Sequence, residues 1–402
     1  MIEENDETRM TKDEGITHAQ MTKQRPERAH RHSDFAIPST LDIRHSSLAG
    51  RLIATTAQLT ALIPQIEAAD RVAVDTEADS LHCYREKLCL LQISLPASDH
   101  IVDPLADLDL APLRSALERS EIVLHGADYD LRMLRRGLDF VARRILDTLI
   151  AARLLGIREF SLAALVKRYF GLELPKGSQR ANWARRPLPA RMAEYAINDA
   201  RYLLPLAEEL EAELIRNCRI DWLRQSCQRA IEQAAVQRVR DEDELWRVRG
   251  SGSLRDRQAA VLRAVWQWRE KEAKATDRPP FHILQNHELL DAAVAFSAGD
   301  VPDYRHFSSR RRQAFREAAQ GAMQLPESEW PVSRRRIGRR PDPETVRGAD
   351  ELRRRRDQAA RQLNLDPAFI APRSTLEAVA ANQMCAASLL VPWQLELLGI
   401  TA

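Results

Sequence analysis

Nowhere in the 402 residues is there an apolar run that could cross a membrane, which needs about 20 consecutive residues. The N-terminal stretch to about Ser47 is polar and charged and lacks the apolar core of a secretory signal. A cytoplasmic protein with a disordered tail over residues 1–47 is therefore expected. The five cysteines, at 83, 89, 218, 227 and 385, follow no metal-ligand or redox spacing. An odd, unpatterned set fits a reducing compartment. An excess of one charge is missing too: the formal net charge is +2, so no global attraction to nucleic acid follows. With 44% hydrophobic and 29% charged residues, the chain has the composition of an ordinary soluble protein, and its length suggests two or three domains.

The informative residues are Asp75 and Glu77 in RVAVDTEAD, Asp130 in VLHGADYDLRML, and Tyr195 with Asp199 in EYAINDARYLL. Arg71 to Thr76 reads as a strand, with β-branched Val72 and Val74 in a short run bounded by charge. Residues two apart on a strand share a face, so Asp75 and Glu77 present their oxygens together near its end. Glu121 to Gly126 reads as a second, buried strand that hands over to a helix near Asp128, placing Asp130 in the first helical turn. Met192 to Leu210 has helical periodicity, and Tyr195 and Asp199, four apart, share a face of that helix.

Four acids can thus converge at one rim of a sheet. Left alone they would repel and raise each other's pKa. Hard cations with oxygen ligands remove that conflict, and Mg²⁺ or Mn²⁺ suits carboxylates beside a substrate phosphate. Two such ions about 4 Å apart can activate a water and stabilise the leaving oxygen of an in-line displacement. Zinc fits poorly, because no His or Cys lies at ligand spacing near these acids. Each piece alone has an ordinary reading: a D-x-E pair is common on strands, an acid in a first helical turn answers the helix dipole, and a Tyr and an Asp four apart are usually a packed ring and a solvated acid. Their combination, in chain order and at strand-to-helix junctions, points to a metal-dependent nuclease.

The segments DTEADSLHCYREKLCLLQIS, LHGADYDLRML and RRPLPARMAEYAINDARYLLPL resemble the three exonuclease motifs of ribonuclease D, in the tyrosine-containing branch of the DEDD exonuclease superfamily. The resemblance spans roughly residues 50–215 and continues into the C-terminal part. It implies that Asp75, Glu77, Asp130 and Asp199 bind the metal ions and that Tyr195 positions the attacking water. It also implies stepwise release of 5′-mononucleotides from RNA 3′ ends, with transfer-RNA precursors the usual family substrate. The sister branch has His five residues before the last Asp, where this chain has Glu194.

Departures from the family pattern lie around these positions. The first motif usually follows its Glu with a bulky aromatic; here Ala78 and Asp79 follow, and Asp79 is expected to face solvent. LPKGSQRANWARRPL resembles the family loop that ends in Ser/Thr-Asp-Trp and Arg-Pro-Leu, with Ala181-Asn182-Trp183 and Arg186-Pro187-Leu188 in their places. Trp183 reads as a packing anchor, while Lys176, Gln179 and Arg180 could reach substrate phosphates or simply be solvated. His125 is expected as a hydrogen-bonded structural imidazole, Asp147 as a helix cap, and Gln92 as a satisfied polar group in the core.

The fold expected is an α/β ribonuclease-H-like exonuclease domain with a mixed sheet, its LCLLQIS and HIVDP strands forming a hairpin, followed by two small all-α domains of the HRDC type. The expected divisions are the exonuclease at 48–215, a linker helix at 216–244, an HRDC-like unit at 245–328, a linker at 329–342 and a second, shorter HRDC-like unit at 343–402. In the first helical unit a Ser cap, an amphipathic helix, a Pro-Pro break at 279 and 280 and a second helix are expected, with at least one of Trp266 and Trp268 in the core. The arginines from 334 to 356 can neutralise backbone phosphates or form a solvated linker. The helical units could wall the active site and favour a single-stranded 3′ end. No obligate protein partner is evident, and nothing in the motifs reads a 2′-hydroxyl. A DNA exonuclease and a silent nucleic-acid-binding scaffold therefore stand as alternatives.

Overall fold

Alternation and β-branching make Arg71–Ala78 a central strand, with Val72, Ala73 and Val74 fully buried. The computed structural model describes residues 51–175, 177–236, 241–332 and 342–400. Its single described sheet has six strands: β1 Leu52–Ile53, β2 Arg71–Ala78, β3 Leu88–Ser94, β4 Asp99–Val102, β5 Glu121–Leu124 and β6 Ile145–Asp147. Across the sheet they run β1-β4-β3-β2-β5-β6. β3 is antiparallel to both β2 and β4, and the other pairs are parallel. The expected mixed sheet and its LCLLQIS hairpin are therefore present. β3 is buried along its whole length, as a strand covered on both faces must be.

Eight helices belong to this half: α1 Thr56–Glu67, α2 Ala111–Leu117, α3 Asp128–Leu138, α4 Thr148–Leu154, α5 Leu162–Phe170, α6 Ala190–Arg201, α7 Leu203–Arg216 and α8 Ile220–Ala235. α6 lies across β2, β3 and β4, and its Ala193, Ala196 and Ile197 pack with Leu90, Ile101 and Trp183. The single helix expected from Met192 to Leu210 is in fact two, parted at Tyr202. Pro205 accounts for the break: it has no N–H to give the Arg201 carbonyl, so the first helix stops there and a new one starts. α8 packs against β6, α3 and α4, burying Leu223 and Cys227.

Beyond it come α9 Asp256–Ala275, α10 Pro280–Ile283, α11 Asn286–Ser297 and α12 Ser309–Met323. They enclose an aromatic-rich core of Trp246, Trp268, Phe296, Phe307 and Phe315, with Trp266 partly buried against it. The Ser cap expected for α9 does not form: Ser253 bonds the Gly250 carbonyl, and Arg255 stands at the cap position. α13 Pro343–Leu363, α14 Pro367–Ile370, α15 Arg373–Ala381, α16 Ala386–Leu389 and α17 Pro392–Leu398 surround a smaller aliphatic core built on Leu376, Val379, Leu390, Leu395 and Leu398. Trp393 at the start of α17 stacks on Trp222 of α8 at 5.0 Å, and its backbone and indole N–H groups donate to Gln225 and Ser226.

The loop between β2 and β3 reaches the aromatic-rich unit. The Tyr84 ring packs against that core, its hydroxyl bonds Glu270, and its backbone N–H donates to Asp277 at 3.1 Å. Among the described residues no helix is long and apolar enough to cross a membrane. The expected tail at 1–47, Lys176, and Arg334, Arg335, Arg336, Arg339 and Arg340 lie outside the described residues. Arg353 to Arg356 sit on α13, where each is paired with Asp350, Glu351 or Asp357.

Candidate active site

Strand β2 carries Asp75 and Glu77 out on one face, and α6 brings Asp199 to meet them. The carboxylate oxygens of these three residues lie within 4.8 Å of one another. Asp130 arrives in the first turn of α3, placed there by the turn that leaves β5. That turn needs Gly126, whose φ of 80° is in the left-handed region. Asp147 fixes it by accepting the Gly126 and Ala127 N–H groups at 2.9 and 2.8 Å while also capping α4 through Leu149 and Ile150. The capping role read for Asp147 is thus observed, with a second duty toward the Asp130 turn.

Asp130 is buried and accepts a hydrogen bond from the Thr76 hydroxyl. Thr76 leaves β2 on the face opposite Asp75 and Glu77, so one tripeptide holds two acids directly and a third through its middle residue. In the sequence Thr76 stands out only by its period-2 position, facing away from its two acidic neighbours. Tyr195, one helical turn before Asp199 on α6, bonds the Asp199 carboxylate, and Gln179 meets the same hydroxyl. All five residues singled out from the sequence come together.

The charged groups acting on Asp75 and Glu77 are carboxylates. Burial, then Asp130, Asp199 and Glu77, hold the Asp75 carboxyl well above the usual range. Burial with Asp199 and Asp130 pushes Glu77 up to about 9. Burial raises Asp130 and Asp199 to about 6, against the lowering effect of the hydrogen bonds from Thr76 and from Tyr195 respectively. The Tyr195 hydroxyl is itself raised, by burial and then by Asp199 and Glu77. An all-oxygen donor set with this excess of proton affinity fits a hard divalent cation.

Two expectations fail here. Asp79 does not face solvent; it is 1% exposed and takes the Lys87 ammonium and backbone N–H. The strand ends in an irregularity between Glu77 and Ala78, which turns Asp79 into the loop and toward Lys87. Burial pushes its carboxyl up, but the Lys87 contacts outweigh that and leave it below its ordinary value. Gln92 is not satisfied either: it is 1% exposed, and neither polar atom of its amide finds a partner. Apolar Leu90 and Ile101 flank it on β3 and β4, so the core supplies it no partner there.

The readings of Trp183 as a packing anchor and His125 as a hydrogen-bonded structural imidazole hold. Trp183 is buried beneath Tyr195, with ring centroids 6.1 Å apart. His125 bonds the Thr148 hydroxyl at 2.9 Å through Nδ1, and burial lowers its pKa. Gln179 and Arg180 are exposed beside the site, and the Arg180 carbonyl meets His82 Nε2 at 3.1 Å. The Arg-Pro-Leu segment is anchored by Arg186, which grips Asp103 with two bonds of 2.6 Å and also reaches the carbonyls of Cys89 and Trp183.

Residues 51–215 match the 3′-5′ exonuclease family, and residues 258–298 match the HRDC domain. Ribonuclease D of Zymomonas mobilis is 34% identical over 252 residues, covering 60% of this chain and 63% of that protein. Ribonuclease D of Desulfotalea psychrophila is 31% identical over 247 residues, covering 60% of this chain and 66% of that one. The matches thus span slightly less than two thirds of these relatives' lengths. The crystal structure of Escherichia coli RNase D shares the fold with a TM-score of 0.66 and 22% identity, over 87% of this chain and 96% of that one. The mixed sheet and its helices are the ribonuclease-H-like exonuclease fold. Residues 51–215 thus form a 3′-5′ exonuclease domain with an HRDC domain behind it, and over this region the chain is similar to ribonuclease D.

Proposed function

We propose that this protein is a cytoplasmic, metal-dependent 3′–5′ exoribonuclease that releases 5′-mononucleotides from RNA 3′ ends, with transfer-RNA precursors as substrates. The observation that carries the reading is the meeting of the Asp75, Glu77 and Asp199 carboxylates within 4.8 Å, beside Asp130 and under Tyr195. Asp75, Glu77, Asp130 and Asp199 would hold two divalent ions, Mg²⁺ or Mn²⁺. When bound, these ions supply Lewis-acid stabilisation of the reacting phosphate and a water of lowered pKa.

Thr76 and Tyr195 fix the oxygens of Asp130 and Asp199, so the cluster is oriented before substrate arrives. Tyr195 orients the attacking water rather than taking its proton, since a hydroxyl pushed above the ordinary tyrosine value is a poor base at neutral pH. Gln179 and Arg180 lie where they can steady the phosphates of the 3′ end. The HRDC-like units read at 245–328 and 343–402 follow the exonuclease read at 48–215, and in this proposal they favour a single-stranded end; a truncation near Glu244 with full activity on structured RNA would count against that part.

The test is a time course on matched 3′-labelled and 5′-labelled single-stranded RNA and DNA, with Mg²⁺, Mn²⁺ or chelator, beside Asp75→Ala. Stepwise shortening of RNA from its 3′ end, dependent on metal and absent in the variant, is expected. Equal or faster loss of DNA moves the assignment to a DNA exonuclease. Binding without cleavage in any metal leaves a scaffold.

A further inference from the structure

Among the described residues, Gln92 is the one side chain with two buried polar atoms that both lack a partner. An unsatisfied buried amide gives up its hydration with nothing in return, and a methionine would fill a similar volume without that penalty. The amide's surroundings point to where it belongs. Gln92 stands directly opposite Asp75 in the β2–β3 ladder and opposite Ile101 in the β3–β4 ladder. Cross-strand partners share a face, with Cβ atoms about 4.5–5.5 Å apart, a span that a glutamine amide covers.

The other groups on that face are closed to it. Leu90, Ile101 and the Ala193, Ala196 and Ile197 side chains of α6 form one apolar cluster. Ser94, two residues along β3, already donates to Asp99 at 2.9 Å, and Asp99 is held by Arg201 and Arg51. Of the acids on that face, Asp75 is the one directly opposite Gln92, and the hydrogen bond it receives comes from the Thr76 backbone. The register of β2 with β5 runs only to Ala73, so at Asp75 the ladder has a partner on one side, and that partner is Gln92.

We propose that Gln92 is a positioning residue for the acidic centre: its side-chain amide, without a hydrogen bond in this structure, turns to donate to the Asp75 carboxylate when a divalent cation is bound and holds it in the orientation the cation requires. The inference rests on the reading of Asp75 as a metal ligand. A neutral donor suits the task. A lysine or arginine there would compete with the cation, and a further carboxylate would add to the repulsion, whereas an amide steers Asp75 and leaves its charge for the ion. Partners of this kind behind a metal ligand typically change metal affinity by about 10–100-fold.

The experiment uses the full-length protein and Mn²⁺ alone, without RNA. Binding is followed by calorimetry for wild type, Gln92→Met, Gln92→Asn and Asp75→Asn, with melting temperatures measured in chelator. Gln92→Met removes the donor, and Gln92→Asn withdraws it by one carbon, so either variant that folds is informative. Expected are a Mn²⁺ dissociation constant raised about tenfold or more, and a chelator melting temperature in Gln92→Met equal to or above wild type. RNA cleavage by the same variant should be weak at limiting metal and recover at high metal. Wild-type Mn²⁺ affinity in a folded Gln92 variant, with loss in Asp75→Asn, overturns the inference alone. Wild-type affinity in Asp75→Asn overturns the metal-centre reading and this inference with it.

Discussion

The same sheet treats its acids in two opposite ways. Asp99 at the start of β4 and Asp103 just past its end are buried, and each is answered by arginine: Asp99 by Arg201 and Arg51, Asp103 by the two-bond grip of Arg186. Two strands away, Asp75 and Glu77 are surrounded by other carboxylates, and their proton affinity rises accordingly. The β4 acids close a structure; the β2 acids carry a charge that no basic group given among the described residues answers. A cluster kept in that condition is suited to taking its counter-charge from outside.

The contrast is most sharply tested by removing one member of each group. Asp75→Ala or Asp199→Ala should lower the single-turnover rate of RNA cleavage by about 10³-fold or more, as loss of several kcal/mol of Lewis-acid stabilisation implies. Either variant should keep its RNA affinity, measured by anisotropy, and melt no lower than wild type in chelator, because a repelling carboxylate has gone. Arg186→Ala should do the reverse. It strands Asp103 in the core and costs about 3 kcal/mol of stability by denaturant titration, while the folded fraction cleaves RNA normally. A catalytic-site acid whose loss destabilised the fold as much as Arg186→Ala would erase the distinction.

Smaller effects sharpen it. Tyr195→Phe should slow cleavage by about 10–100-fold through misplacement of the attacking water, a loss that persists at saturating metal; an unchanged rate discards the role. In chelator, melting should fall as pH rises from about 4 to about 9. The folded protein binds more protons than the unfolded chain there, with Asp130 and Asp199 titrating at about 6 and Glu77 at about 9. Stability is therefore greatest on the acid side of that window, and saturating Mn²⁺ should remove the slope because only deprotonated ligands bind metal. Asp79→Asn is the mildest change. Its Lys87 partner is half exposed, so it should cost less than about 1 kcal/mol and leave the cleavage rate within a few-fold.

The acids were legible in the sequence because their positions follow from rules with short reach. Period-2 alternation aligns Asp75 with Glu77, a four-residue helical step aligns Tyr195 with Asp199, and strand-to-helix handover puts Asp130 at the rim. The mixed sheet, its hairpin and the burial of Trp183 were readable for the same reason. What escaped depends on neighbours far along the chain or on one backbone atom. Lys87 reaches Asp79 across a loop whose course no periodicity encodes. Gln92 looked like any core polar group until the register set it against Asp75. The break at Tyr202 turns on the missing N–H of Pro205, which a strong apolar pattern running through it concealed.

Tyr84 places a condition on exchanging modules in this architecture. Its ring, hydroxyl and backbone N–H engage the Trp268 core, Glu270 and Asp277 of the helical unit, while its own loop leads back from the strand of Asp75 and Glu77 to the strand of Gln92. A foreign HRDC domain grafted at the same point would need an apolar seat for that ring and an acceptor at the end of its first long helix. Without them the tyrosine is left in water, and the return path between the two strands loses its far mooring. Recombination between relatives is thus filtered here by a fit between parts, in which the incoming domain must recognise a side chain that belongs to the recipient.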